Sequence, residues 1–163
     1  MIKVIVIVAS DSGFAGERVD KSGAKIIEIC EQKSFQVVEK CLLPDDKEQL
    51  SQKMAEICDQ KQADLILTTG GTGLAPRDCM PEATRAIADK EVPGISEAIR
   101  SYSLQITKRA MLSRGLSVIR KETLIVNLPG STKAVAESLN YLIDQLPHAL
   151  GLLQNKKGED HNH

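Results

Sequence analysis

The chain has 163 residues, of which 42% are hydrophobic and 26% charged, and its 21 basic and 22 acidic side chains leave a formal charge of −1. That length suits one domain with a core large enough to fold without a metal or disulfide staple. The charge balance, with two Phe, two Tyr and no Trp, argues against a nucleic-acid surface, and no stretch reaches the ~20 apolar residues of a membrane helix.

The β-branched run Ile2 to Ala9 reads as a strand buried on both faces. It is too short for the apolar core of a signal peptide and is ended by Asp11, so a soluble, cytoplasmic protein is expected. Asp11 to Gly23 reads as a glycine-bearing loop that enters a helix through about Gln32. Phe35 to Leu43 is a second strand stopped by Pro44, and after Asp45-Asp46 a helix runs to about Gln60 on Leu50, Met54, Ile57 and Cys58. Asp64 to Thr69 is a third strand that leads directly into Gly70-Gly71-Thr72-Gly73. Pro81 to Ala88 forms a short helix, Pro93-Gly94 break it, and Ile95 to Leu104 form another. Ser117 to Arg120 and Thr123 to Leu128 are further strands. Ser131 then caps a long helix bearing Val135, Leu139, Leu142 and Ile143, which Pro147 interrupts before a last turn or two.

Strands separated by helices imply a three-layer α/β fold: a mostly parallel open sheet with helices on both faces. Residues 1–155 make that single domain, and 156–163 are expected to be a polar, disordered tail. The cysteines lack C-x-x-C spacing, and Cys30, Cys41 and Cys58 read as reduced apolar fillers.

Ligands of such sheets bind at the carboxyl ends of the strands, so the loops there hold the candidate residues. Gly70 to Gly73 place three glycines in four residues after a buried strand, where free amides can meet an anion. The segment is neither a P-loop nor a dinucleotide fingerprint, and taken alone a tight turn is the better reading. Leu128-Pro129-Gly130-Ser131 opens a helix and reads equally as an anion site or a plain N-cap. Asp45, Asp46 and Asp78 fall in loops of the same kind; carboxylates near bound phosphates make chemical sense with Mg²⁺ or a proton between them. For Asp46 a helix cap is the better reading, and Asp78 reads equally as the cap of the helix near Pro81. Arg77 either clamps a phosphate or pairs with Asp78.

Thr68-Thr69-Gly70-Gly71-Thr72-Gly73, Pro76-Arg77-Asp78 and Pro81-Glu82-Ala83-Thr84 together resemble the signature of the molybdopterin adenylyltransferase family, which includes Mog- and MoaB-type proteins and gephyrin G domains. The likeness continues through Ser10-Asp11, Asp20, Leu43-Pro44-Asp45-Asp46, Met111-Leu112-Ser113-Arg114 and Pro129-Gly130-Ser131, from about Ile2 to Leu153. The resemblance implies adenylylation of molybdopterin, with ATP as co-substrate and Mg²⁺ as cofactor. Asp45 and Asp78 would be the functional aspartates, handling Mg²⁺ and orienting phosphates. Thr69, Gly70, Gly71, Thr72 and Gly73 would cradle the nucleotide with Pro129, Gly130 and Ser131. Ser10, Asp11 and Asp20 would line the pocket, and Ser113 and Arg114 would face the pterin. The family also implies a homotrimer or hexamer and a downstream protein that inserts molybdate. A non-catalytic molybdopterin-binding scaffold is the alternative, and an unrelated nucleotide-binding α/β domain is a weaker one.

Overall fold

The computed structural model describes residues 1–155; the expected tail lies outside the described residues. Six strands, β1 (Lys3–Ala9), β2 (Gln36–Leu43), β3 (Leu65–Thr69), β4 (Lys90–Glu91), β5 (Ser117–Arg120) and β6 (Thr123–Leu128), form one sheet in the order β2-β1-β3-β6-β5-β4. The four strands from β2 to β6 are parallel, while β5 runs antiparallel to both of its neighbours, β6 and β4. The chain moves from β1 outward to β2, then returns to place β3 on the other side of β1. The loops after β1 and β3 therefore diverge, and a crevice opens at their carboxyl ends.

Side chains alternate between the two faces of the sheet. Val4, Val6, Leu65, Leu67, Leu124 and Val126 pack with α2 (Ser22–Gln32), α5 (Pro93–Leu104), α6 (Thr132–Leu142) and α7 (Leu146–Leu153). Ile5, Ile7, Ile66 and Ile125 pack on the opposite face with α3 (Lys47–Asp59) and α4 (Met80–Ala86). This is the expected three-layer α/β architecture, and Cys30, Cys41 and Cys58 are buried fillers with free thiols.

Several local expectations are corrected. The loop after β1 contains a one-turn helix, α1 (Asp11–Phe14), because the Ser10 hydroxyl accepts from the Gly13 amide and caps it. Pro93 begins α5 rather than standing outside it, since its missing N–H is one the first turn would not use. Pro147 likewise sits in the first turn of α7, after a short 3₁₀ segment over Ile143–Gln145. β5 and β6 form a tight hairpin, with Lys121 at φ 53°, and β4 extends it by one short strand. A 3₁₀ segment, Lys108–Leu112, precedes the hairpin; neither it nor β4 carries a periodic apolar pattern.

Candidate functional site

The floor of the crevice is made where three strand ends meet. Gly70, at φ +92°, lies so close to the Ala9 carbonyl oxygen that an added Cβ would overlap it. Gly71 follows at φ +71°, so two successive residues occupy the left-handed region that favours glycine. The Thr69 hydroxyl donates to the Pro129 carbonyl oxygen at 2.6 Å, tying the glycine turn to the Pro129-Gly130-Ser131 loop. Gly130 passes against Gly70, close enough that a Cβ on it would rest in van der Waals contact with the Gly70 Cα at 3.6 Å. Ser131 caps α6, accepting from the Ala134 amide at 3.2 Å, so the expected cap and the cavity wall are the same residue.

An acidic mouth stands beside this floor. Asp11 and Asp45 bond reciprocally: the Asp45 amide donates to Asp11 Oδ1 at 3.0 Å, and the Asp11 amide donates to Asp45 Oδ2 at 3.2 Å. Asp45 Oδ1 is buried and has no hydrogen-bond partner. Burial, reinforced by the neighbouring Asp11 and Asp78 charges, pushes the Asp45 carboxyl above its ordinary value. Asp78 turns one oxygen inward to accept from the Ala75 amide at 3.1 Å, and it lines the cavity. Asp78 is thus not the cap of α4. Arg77 neither pairs with Asp78 nor faces the cavity; its guanidinium grips both oxygens of Asp11 at 2.9 Å and holds that carboxyl below its ordinary value. Asp46 is the cap of α3, accepting from the Gln49 amide at 3.0 Å.

The third wall comes from the first loop. Asp20 accepts from the Gly23 amide at 2.8 Å and from Lys40 Nζ at 3.0 Å, and the Ser22 hydroxyl donates to the Gly130 carbonyl at 2.7 Å. Together the walls enclose a cavity of about 820 Å³. Ser10, Asp20, Asp45, Thr69, Gly70, Gly71, Asp78, Gly130 and Ser131 line it, joined by Arg18, Lys21 and Thr132. Asp11, Thr72 and Gly73 do not line it, and Pro129 and Ser113 edge a separate small cleft beside Asn127. Arg114 does not line it either: its backbone amide donates to Thr72 O, and its guanidinium donates to Gly73 O, Asp78 O and Glu82.

The sequence reading passed over a polar knot beneath the glycine turn. Asn127 is 3% exposed; its side-chain amide donates to the Thr68 and Thr84 hydroxyls at 3.0 and 3.1 Å, and its carbonyl accepts from the Leu116 amide at 3.0 Å. An Asn inside the otherwise apolar Thr123 to Leu128 run was the available signal, because a buried amide needs specific partners.

The two carboxylates expected to handle Mg²⁺ have donor atoms that suit a divalent cation. Asp45 and Asp78 offer hard carboxylate oxygens, and one of them is buried without a partner, an arrangement a divalent cation satisfies. Among the described residues no group of three or more such side chains forms a metal cage, so water or phosphate would complete the coordination. No described helix is long and apolar enough to cross a membrane.

Residues 5–148 match a family model described as a probable molybdopterin binding domain. The molybdopterin adenylyltransferase of Haemophilus influenzae is 40% identical over 147 residues, covering 89% of this chain and 75% of that protein. Gephyrin of Dictyostelium discoideum is 39% identical over 161 residues, 93% of this chain, which spans only 22% of gephyrin's length. Among solved structures, the molybdopterin biosynthesis enzyme MoaB of Thermus thermophilus superposes with a TM-score of 0.90 at 45% identity, covering 98% of this chain and 100% of that one. The tungsten cofactor synthesizing protein MoaB of Pyrococcus furiosus gives 0.85 at 34% identity, covering 94% and 97%.

Proposed function

Because the chain belongs to the family of molybdopterin-binding domains, we propose that it is a nucleotidyltransferase of molybdenum cofactor biosynthesis, adenylylating molybdopterin with ATP. The observation that carries this reading is the buried, partnerless Asp45 oxygen at the edge of a glycine-floored cavity. A scaffold need not keep a carboxylate in that state, whereas handling of charged phosphates uses it.

In the reaction a phosphate oxygen of molybdopterin attacks the α-phosphorus of ATP. The new O–P bond forms as the bond to the β-phosphate oxygen breaks, and pyrophosphate leaves with that electron pair. The work asked of the chain is to hold two polyanions close and in line. Gly70 and Gly71 let phosphate oxygens approach the backbone, and the first turn of α6 presents free amides at its positive end. Asp45 and Asp78 would hold Mg²⁺, which when bound neutralises the phosphate oxygens. Asp11, already committed to Arg77 and to the Asp45 amide, keeps Asp45 in place. Arg18 and Lys21 supply positive charge at the rim of the cavity. Ser113, Arg114 and Pro129 complete the proposed ligand set as supports of the loops. The proposal extends to cytoplasmic action as a homotrimer or hexamer, with the product passed to a molybdate-inserting protein.

Pyrophosphate release from ATP and Mg²⁺, measured with and without molybdopterin, tests the reading. Release that depends on molybdopterin, and falls on the order of 10²–10⁴-fold in Asp78→Asn, is the expected result. Tight pterin binding without release would replace it with the non-catalytic scaffold.

A further inference from the structure

Leu74 projects from the loop that follows Gly73 and is exposed, and this loop carries Asp78 back toward the cavity. Its own contacts are few: the Asp78 amide donates to Ala75 O, the Ala75 amide donates to Asp78 Oδ2, and the Met80 amide donates to Gly71 O. Arg77 adds an exposed pair to Asp11, and the other fixed points belong to one residue. The Arg114 amide donates to Thr72 O at 2.8 Å, Nε donates to Gly73 O at 2.8 Å, and Nη2 donates to Asp78 O at 3.0 Å. Nη1 meets Glu82 Oε2 at 2.7 Å, so α4 anchors the far side of the guanidinium. One planar group therefore spans the loop from the residue after the glycine turn to Asp78 itself. Gly73 is crowded from the other direction, since a Cβ there would stand 2.9 Å from Asp78 Oδ2.

On the basis of this bracing, and resting on the function proposed above, we infer that Arg114 is a positioning residue: its guanidinium fixes the direction of the Asp78 carboxylate from behind the site. Arg114 does not line the cavity and its guanidinium is bonded to the loop and to Glu82, so it acts on bound phosphates through Asp78 and not by touching them. The fork geometry is what the role requires. An ammonium group is a point donor and reaches Gly73 O, Asp78 O and Glu82 together only by giving up direction.

Arg114→Lys and Glu82→Gln in the full-length chain test this inference by three readouts: the thermal midpoint, kcat and KM for pyrophosphate release, and Mn²⁺ affinity with a non-hydrolysable ATP analogue followed by electron paramagnetic resonance. In a folded Arg114→Lys, kcat and Mn²⁺ affinity are each expected to fall roughly 10–100-fold, with KM for ATP changed less than about threefold. Glu82→Gln keeps the fork and frees one anchor, so about a threefold loss in both at an unchanged midpoint is expected. Wild-type kcat and Mn²⁺ affinity in Arg114→Lys would overturn the inference. Should that variant not fold, Glu82→Gln decides: a lower midpoint with kcat and Mn²⁺ affinity unchanged means a structural brace only, and overturns it. A wild-type chain that binds Mn²⁺ and the analogue but releases no pyrophosphate sinks the adenylylation reading alone, and the Mn²⁺ comparison still decides the role of Arg114.

Discussion

Two polar groups buried on either side of the glycine turn have opposite fates. Below it, Asn127 donates to Thr68 and Thr84 and accepts from Leu116, so its burial is compensated. Above it, Asp45 Oδ1 is equally hidden from water and bonds to nothing. Compensated burial holds β6 to α4 and to the segment before β5, which is a structural task. Uncompensated burial is costly unless something arrives to relieve it, which is the basis for proposing the upper group as one kept for a ligand.

That contrast orders the mutational consequences. The largest belongs to the upper group. Asp45→Asn should lower molybdopterin-dependent pyrophosphate release on the order of 10²–10⁴-fold, measured beside Asp78→Asn. Next comes the turn that separates the two groups. Gly70→Ala forces a Cβ onto the Ala9 carbonyl at a φ of +92° and is expected to cost on the order of 2–4 kcal/mol in denaturant titration, with ATP binding weakened. Asn127→Leu, an apolar side chain of similar size, strands the Leu116 amide and the Thr68 hydroxyl and leaves the Thr84 hydroxyl only its contact with Met54 Sδ. A loss of about 2–3 kcal/mol is expected by the same titration, with nucleotide affinity changed less than the stability. An equal collapse of both would mean that the lower group serves the ligand as well, and would erase the distinction. Smallest is Arg77→Gln, which releases an exposed pair and should leave the thermal midpoint at pH 7 nearly unchanged.

The fold was legible because its strands are short β-branched runs and its helices carry clear apolar faces, as in Ile2 to Ala9 and in α3. What escaped was held by single contacts rather than by pattern. The two residues of β4 join the sheet only because β5 presents a free edge, and α1 exists because the Ser10 hydroxyl caps it. At the site, the glycine turn, Asp45, Asp78 and the Ser131 cap were visible as residues at strand ends. Their partners were not, since Arg77 reaches 66 positions back to Asp11 and Arg114 reaches 36 back to Asp78. Sequence spacing carries no trace of such pairings, and so the roles of both arginines came only with the structure.

The two carboxyls that interlock at the mouth also titrate with opposite consequences. Asp11 is held below its ordinary value of 3.8, so the stability it contributes is present above that value and is lost as pH falls through its lowered pKa. Asp45 is raised above the same value, so the wild type loses stability as pH climbs from 3.8 through the raised pKa, and it bears the full penalty at neutral pH. Asp45→Asn removes that titration while its side-chain carbonyl can still accept from the Asp11 amide.

The most direct measurement is therefore the thermal unfolding of Asp45→Asn against wild type across pH 4 to 8 without ligand, paired with the pyrophosphate assay. A variant that unfolds at a higher temperature at pH 7, with the gap narrowing toward pH 4, and that has lost its activity is the expected result. A variant that unfolds at a lower temperature at pH 7 yet still releases pyrophosphate at the wild-type rate would contradict the account, because Asp45 would then be part of the scaffold and not the group kept open for the ligand.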